Sequence, residues 1–198
     1  MPIPSSFEGR LKLPVVAAPM FLVSGPRMLI ENCKNGVVGT LPALNQRSSE
    51  GFEEWLLQIE RELSEFEQQT GNRAAPYGIN LIVHKTNPRV QADLEICAKH
   101  KVPLVITSLG AVKELVDTVH SYGGVVFHDV TNRRHAEKAA EAGVDGLIAV
   151  CGGAGGHAGT TNPFALVSTL PSLWLRSALC PPGSPPHGSP FNCPLTAR

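Results

Sequence analysis

The chain has no CxxC pair, and its five cysteines, Cys33, Cys97, Cys151, Cys180 and Cys193, are odd in number. A disulfide framework and a structural zinc site are therefore not expected, and a reducing, cytoplasmic setting is the simpler expectation. There is no charge excess: Lys+Arg and Asp+Glu are both 17. Nucleic-acid and membrane-surface proteins usually carry a basic face, so neither partner is expected. Residues 1 to 13 hold charges but no apolar core of the kind a secretory signal needs. No apolar run is long enough to span a bilayer.

What is present, up to about Leu166, is a regular alternation. Short apolar runs lie at Pro14–Ala18, Val37–Thr40, Tyr77–Val83, Val102–Thr107, Val125–His128 and Val144–Val150. Between them, Ser24–Lys34, Glu50–Gln69, Asn87–His100, Ala111–Tyr122 and Asn132–Ala142 read as helices. Glycines follow several of them, as helix stops do. In Glu50–Gln69 the residues Phe52, Trp55, Leu56, Ile59 and Leu63 share one face, and Glu53, Glu54, Glu60 and Glu62 the other. The apolar runs are near-continuous, as expected of parallel strands covered on both faces. Repeated β-then-α units predict a parallel α/β fold, either a doubly wound sheet or a TIM barrel. Periodicity does not separate the two.

Past Leu166 the pattern stops. From Phe164 onward there are two charged residues, Arg176 and Arg198, and no acid, while six of the 17 prolines lie between Pro181 and Pro194. No strand or amphipathic helix is legible there. Residues 168–198 are expected to be a disordered Pro/Ser-rich tail foreign to the fold of residues 1–167. An origin by splicing, frameshift or read-through is the expectation.

The sharpest motif is Cys151-Gly-Gly-Ala-Gly-Gly-His-Ala-Gly159, which begins where the sixth run ends. In parallel α/β folds ligands sit beyond the carboxyl ends of strands. Glycines there let the backbone approach a ligand closely, and a histidine in such a loop is suited to moving protons near neutral pH. This is not the dinucleotide fingerprint, which opens a helix after the first strand. Three further segments end strands: Ala17-Ala-Pro-Met20, Gly78-Ile-Asn-Leu81 and Phe127-His-Asp-Val130. Asn80 on a buried strand needs hydrogen-bond partners.

In this order, the four motifs resemble the nitronate monooxygenase family, once called 2-nitropropane dioxygenases. The resemblance covers about Leu11 to Leu166. Ala-Pro-Met alone recurs in other FMN barrels, among them FMN-type enoyl-ACP reductases and NADH:quinone reductases. The resemblance implies a TIM barrel with FMN at its C-terminal mouth. It implies Met20, Asn80, His128, Gly155 and Gly156 as cofactor-binding residues and His157 as the catalytic histidine. No metal is implied. Val150 stands where family members often carry a glutamine. The implied reaction is FMN-dependent oxidation of a nitronate or nitroalkane with O2, giving a carbonyl compound and nitrite. Two alternatives stay open: NAD(P)H-dependent quinone or enoyl reduction on the same scaffold, and a non-catalytic truncated isoform. Only six of eight barrel units are legible. With units seven and eight missing, the expectation is open strand edges, a weakened FMN phosphate site and a chain that holds little FMN alone.

Overall fold

The computed structural model describes residues 4–110, 113–155 and 159–170. Five parallel strands form one sheet in sequential order: β1 (Gly39–Pro42), β2 (Tyr77–Ile82), β3 (Leu104–Ser108), β4 (Val125–Val130) and β5 (Gly146–Ala149). Between and after them run α1 (Pro26–Lys34), α2 (Ser49–Thr70), α3 (Val90–Lys99), α4 (Lys113–Ser121), α5 (Arg133–Ala142) and α6 (Pro163–Thr169). Sequential order without reversal separates a barrel from a doubly wound sheet, in which the order turns back at a switch point. The fold is an incomplete TIM-barrel type, with β5 at one edge among the described residues.

The two faces of the sheet bury different things. One carries Leu41, Ile79, Leu81, Val105, Val126 and Val130, packed into a large core with Leu29, Phe52, Leu56, Ile59, Leu115 and Ala139 of the helices. The other carries Val38, Leu104 and Ile106, which close on Phe7 with Phe127 and Ile148. This second cluster is the floor of the barrel interior, and Phe7, from a single 3-10 turn at Ser5–Phe7, plugs it. Gly146 makes room there, because a Cβ on it would lie 2.4 Å from the Phe127 ring.

Local chemistry sets the helix ends. Ser48 caps α2 by accepting from the Gly51 amide at 3.1 Å, and Gly71 ends it in the left-handed region at φ 70°. Asn132 caps α5 by accepting from the His135 amide at 2.9 Å. The α2 face read from the sequence is the one that packs: Phe52, Leu56, Ile59 and Leu63 are buried, and Trp55 packs against them.

Two expectations are corrected. Pro14–Ala18 is not a buried strand but an isolated bridge, Val16 opposite Val38. Two backbone bonds hold it, Val38 N–H to Val15 O at 3.1 Å and Ala17 N–H to Val38 O at 2.8 Å. Pro14 and Pro19 bracket the segment and have no N–H to extend the ladder. Val15 and Val16 remain exposed. Second, a helix does cross Phe164. In α6, Asn162 accepts from the Phe164 amide at 2.9 Å and Pro163 occupies the first turn. Leu166 and Leu170 are buried, so packing continues past residue 167. Residues 171–198, the rest of the expected tail, lie outside the described residues.

Candidate active site at the barrel mouth

Strand alternation sends successive side chains to opposite faces. Near the carboxyl ends of β2, β3 and β4 the interior face carries Asn80, Ser108 and Asp129, with Ile82 one step beyond Asn80 and in register with Ser108. The three polar side chains form one chain of hydrogen bonds across the strands. Asn80 Nδ2 donates to Ser108 Oγ at 2.8 Å and to the Ile106 carbonyl at 3.3 Å. Ser108 Oγ donates to Asp129 Oδ2 at 2.6 Å. Asn80 is 5% exposed, and its Oδ1 has no donor among the described residues. Burial pushes the Asp129 carboxyl above its ordinary range, and the bond from Ser108 opposes that shift.

His128 is one residue away and on the other face. Its Nδ1 lies 2.7 Å from Thr107 Oγ1, between Val126 and Val130 of the helix-side core. Burial lowers its pKa below the ordinary histidine value. The imidazole therefore does not share a face with Asn80, and the carboxylate beside it in sequence does. Asp129 and Ser108 are the residues the sequence reading passed over as site residues. The signal for Asp129 was present in Phe127-His-Asp-Val130, but the face it takes depends on strand register.

The segment from Ala17 to Met20 continues the parallel bridge at Val16 and Val38 alongside β1. The Thr40 hydroxyl donates to the Ala17 carbonyl and ties the segment to the interior face. The Met20 amide donates to Ser24 Oγ at 2.9 Å, and its carbonyl accepts from Asn45 Nδ2 at 2.9 Å. Asn45 Nδ2 also donates to the Ser24 carbonyl at 2.8 Å, and its Oδ1 accepts from the Leu22 amide at 2.9 Å. The Met20 carbonyl also accepts from the Ser24 amide at 3.0 Å and the Val23 amide at 3.3 Å, so both backbone polar groups are engaged within the protein and the half-exposed side chain is what Met20 offers a ligand. The loop tip it anchors, Phe21-Leu22-Val23, is exposed and apolar, and Leu22 takes the left-handed φ of 59°.

After β5, the glycine loop is pinched at its neck. The Gly152 amide donates to the Thr161 carbonyl at 2.7 Å, and the Ala154 amide to the Cys151 carbonyl at 3.1 Å. Gly159 sits so close to the Val150 carbonyl that a Cβ would lie 2.1 Å from it. Gly155 is exposed on the loop. Gly156 and His157 lie outside the described residues.

Among the described residues, the open Asn80 acceptor has the chemistry to meet a ring N–H, and the Met20 side chain and residues 152–155 are exposed to offer apolar and backbone contacts, which is compatible with a flat polar ring such as a flavin. Among the described residues no group of three or more His, Cys, Asp and Glu is placed to hold a metal ion. None of their helices is long and apolar enough to cross a membrane.

No family model matches the chain. A curated protein of Rhodococcus jostii, named as a 5-hydroxy-7a-methyl-1-oxo-octahydro-1H-indene-4-carboxyl-CoA dehydrogenase, is 28% identical over 160 residues, 81% of this chain and 41% of that protein. Its Mycobacterium tuberculosis namesake is 25% identical over 160 residues, with the same shares. Among solved structures, FabK from Thermotoga maritima superposes with a TM-score of 0.70 at 21% identity, covering 84% of this chain and 48% of that one. Nitroalkane oxidase from Streptomyces ansochromogenes superposes with a TM-score of 0.71 at 20% identity, covering 85% and 58%. The enoyl reductase domain of MlnA from Bacillus amyloliquefaciens gives 0.53 at 19%, covering 65% of this chain and 30% of that one. The chain spans about four-tenths of the curated relatives' length and about half that of the FabK and nitroalkane oxidase structures. The likeness to solved structures is one of fold, and the dehydrogenase, oxidase and reductase among these proteins carry the names of redox enzymes.

Proposed function

We propose that this chain is the substrate- and flavin-facing part of an FMN-dependent oxidoreductase that oxidises alkyl nitronates to carbonyl compounds and nitrite. The observation that carries the reading is the convergence of Asn80, Ser108 and Asp129 on the interior face at the strand ends. Asn80 Oδ1 is left there as an open acceptor, and the Ala17–Met20 and Cys151–Gly159 motifs flank it in the chain order of the family it resembles. FMN, when bound, supplies the electron acceptance that oxidises the nitronate and the reoxidation by oxygen.

The protein's own part is positioning. Asn80 would hold the polar edge of the ring, and Met20 would pack on it through its thioether. Gly155 and Gly156 would line the cofactor. His157 would orient the nitronate oxygens or take the α-proton of a neutral nitroalkane, a role suited to imidazole near neutral pH. His128, on the helix-side face, would act only by supporting β4 from behind. The partners are small molecules, a nitronate or nitroalkane and O2, with no nucleic acid or membrane.

The test is oxygen uptake and nitrite release on adding propyl-2-nitronate to FMN-loaded protein. Uptake with one nitrite per carbonyl, lost in His157→Asn, supports the reading, and absence of both counts against it. A second reading is favoured by the names of the relatives, a carboxyl-CoA dehydrogenase and an enoyl reductase domain. Asp129 points the same way: whenever its carboxyl on the interior face is ionised it would repel an anionic substrate beside it more than a neutral thioester, while burial works against that ionisation. Anaerobic bleaching of bound FMN by NADH or NADPH, with no nitronate-driven oxygen uptake, would establish that reading instead.

A further inference from the structure

An asparagine amide can present either its oxygen or its nitrogen to a ligand, because the two orientations have nearly the same shape. In this mouth the choice is made by neighbours that can only accept. The Ile106 carbonyl, 3.3 Å from Asn80 Nδ2, has no proton to give. Ser108 Oγ, at 2.8 Å, has one proton, and that proton is spent on Asp129 Oδ2 at 2.6 Å. Only lone pairs of Ser108 therefore face Asn80. Both partners demand the NH2 group, so Oδ1 turns away from β3 and has no donor among the described residues. The order originates at Asp129, an acceptor when ionised, and passes across β4, β3 and β2.

We infer that Ser108 and Asp129 are positioning residues that fix the polarity of Asn80, so that the mouth offers an acceptor and selects a ring ligand carrying an imide N–H. This rests on the flavin reading above and deepens it. An imide N–H is the donor that the pyrimidine edge of an isoalloxazine carries. A ring with its donor blocked would leave Asn80 Oδ1 unpaired on binding, which costs more than the bond itself returns.

The experiment is a fluorescence-quenching titration of the 198-residue chain with riboflavin and with N3-methylriboflavin, which differ only at the imide nitrogen. Both lack a phosphate, so the phosphate site does not enter the comparison. Wild type is expected to bind riboflavin about tenfold more tightly than its methyl analogue. Ser108→Ala removes the main lock, and the preference is expected to fall to within about threefold, with Ser108→Thr restoring it. A merely structural role for Ser108 would weaken both flavins equally and keep the ratio. Equal affinity for the two flavins in wild type, or an unchanged preference in Ser108→Ala, overturns the inference while leaving the flavin reading standing. Failure of wild type to bind either flavin overturns both. The wild-type comparison needs no variant, so a misfolded Ser108→Ala does not remove the test.

Discussion

Ser108 donates to Asp129 at 2.6 Å across the β3–β4 ladder, on the face of the sheet that forms the barrel interior. One residue earlier on each strand, Thr107 and His128 meet at 2.7 Å on the opposite face. Two polar pairs of similar length thus sit back to back. One is placed at the mouth, and the other is sealed under the helices.

The mouth pair is expected to cost stability. Burial raises the Asp129 pKa above its unfolded value. A raised carboxyl contributes stability that is full below the unfolded pKa, near 3.8, and is lost as pH rises through the folded value. Asp129→Asn keeps an acceptor for Ser108 and removes that loss. Thermal melts should place the variant a few degrees above wild type at pH 7, on the scale of roughly 2–4 °C per kcal/mol for a chain of this size, with the gap closing below about pH 4. A variant less stable than wild type at pH 7 contradicts this.

The buried pair has the opposite sensitivity. Burial lowers the His128 pKa below 6.5. The unfolded chain then binds the proton more readily, so stability is full above about pH 6.5 and falls as pH drops toward the folded value. His128→Gln should flatten the decline in melting temperature between about pH 6.5 and 5. Parallel pH profiles for the two proteins would show that another group carries it.

Cys33 and Cys97 are 0% exposed, and burial pushes the Cys33 thiol up to about 11 and the Cys97 thiol still higher. The thiolate is the reactive form. Peptide mapping after iodoacetamide at pH 8 should find both unmodified in the native protein and fully modified in guanidinium. Native-state labelling of either would mean that the helix-side core opens locally.

Gly159→Ala should break the glycine loop without unfolding the sheet. The added Cβ would meet the Val150 carbonyl at 2.1 Å, backbone that cannot rotate aside. Circular dichroism should change little, while protease cleavage between residues 152 and 161 speeds up and flavin affinity drops by about tenfold or more. Unchanged cleavage and affinity would show that the neck tolerates a side chain.

The helices were the most legible part of the sequence. In α2, period, cap and stop agree, and Ser48 and Gly71 bound it as their residue types suggest. The strands were legible as strands but not by face. Parallel strands buried on both sides lose the alternation that would mark an interior residue. That is why Phe127-His-Asp-Val130 does not tell which of His128 and Asp129 shares the Asn80 face, and why nothing marks Ser108 at the end of an apolar run. Two breaks of local pattern misled in opposite directions. Pro14 and Pro19 limited an apolar run to a bridge, whereas Asn162-Pro163 began a helix inside a stretch with few charges. Barrel against doubly wound sheet was settled by strand order, which no local period encodes.

The most direct check is a difference-absorbance titration of FMN into wild type and Asn80→Ala. Saturable perturbation of the flavin bands in wild type, weakened about tenfold or more when the Asn80 amide is removed, is the predicted result. No perturbation at millimolar FMN, or identical curves for both proteins, would contradict a flavin site at this mouth.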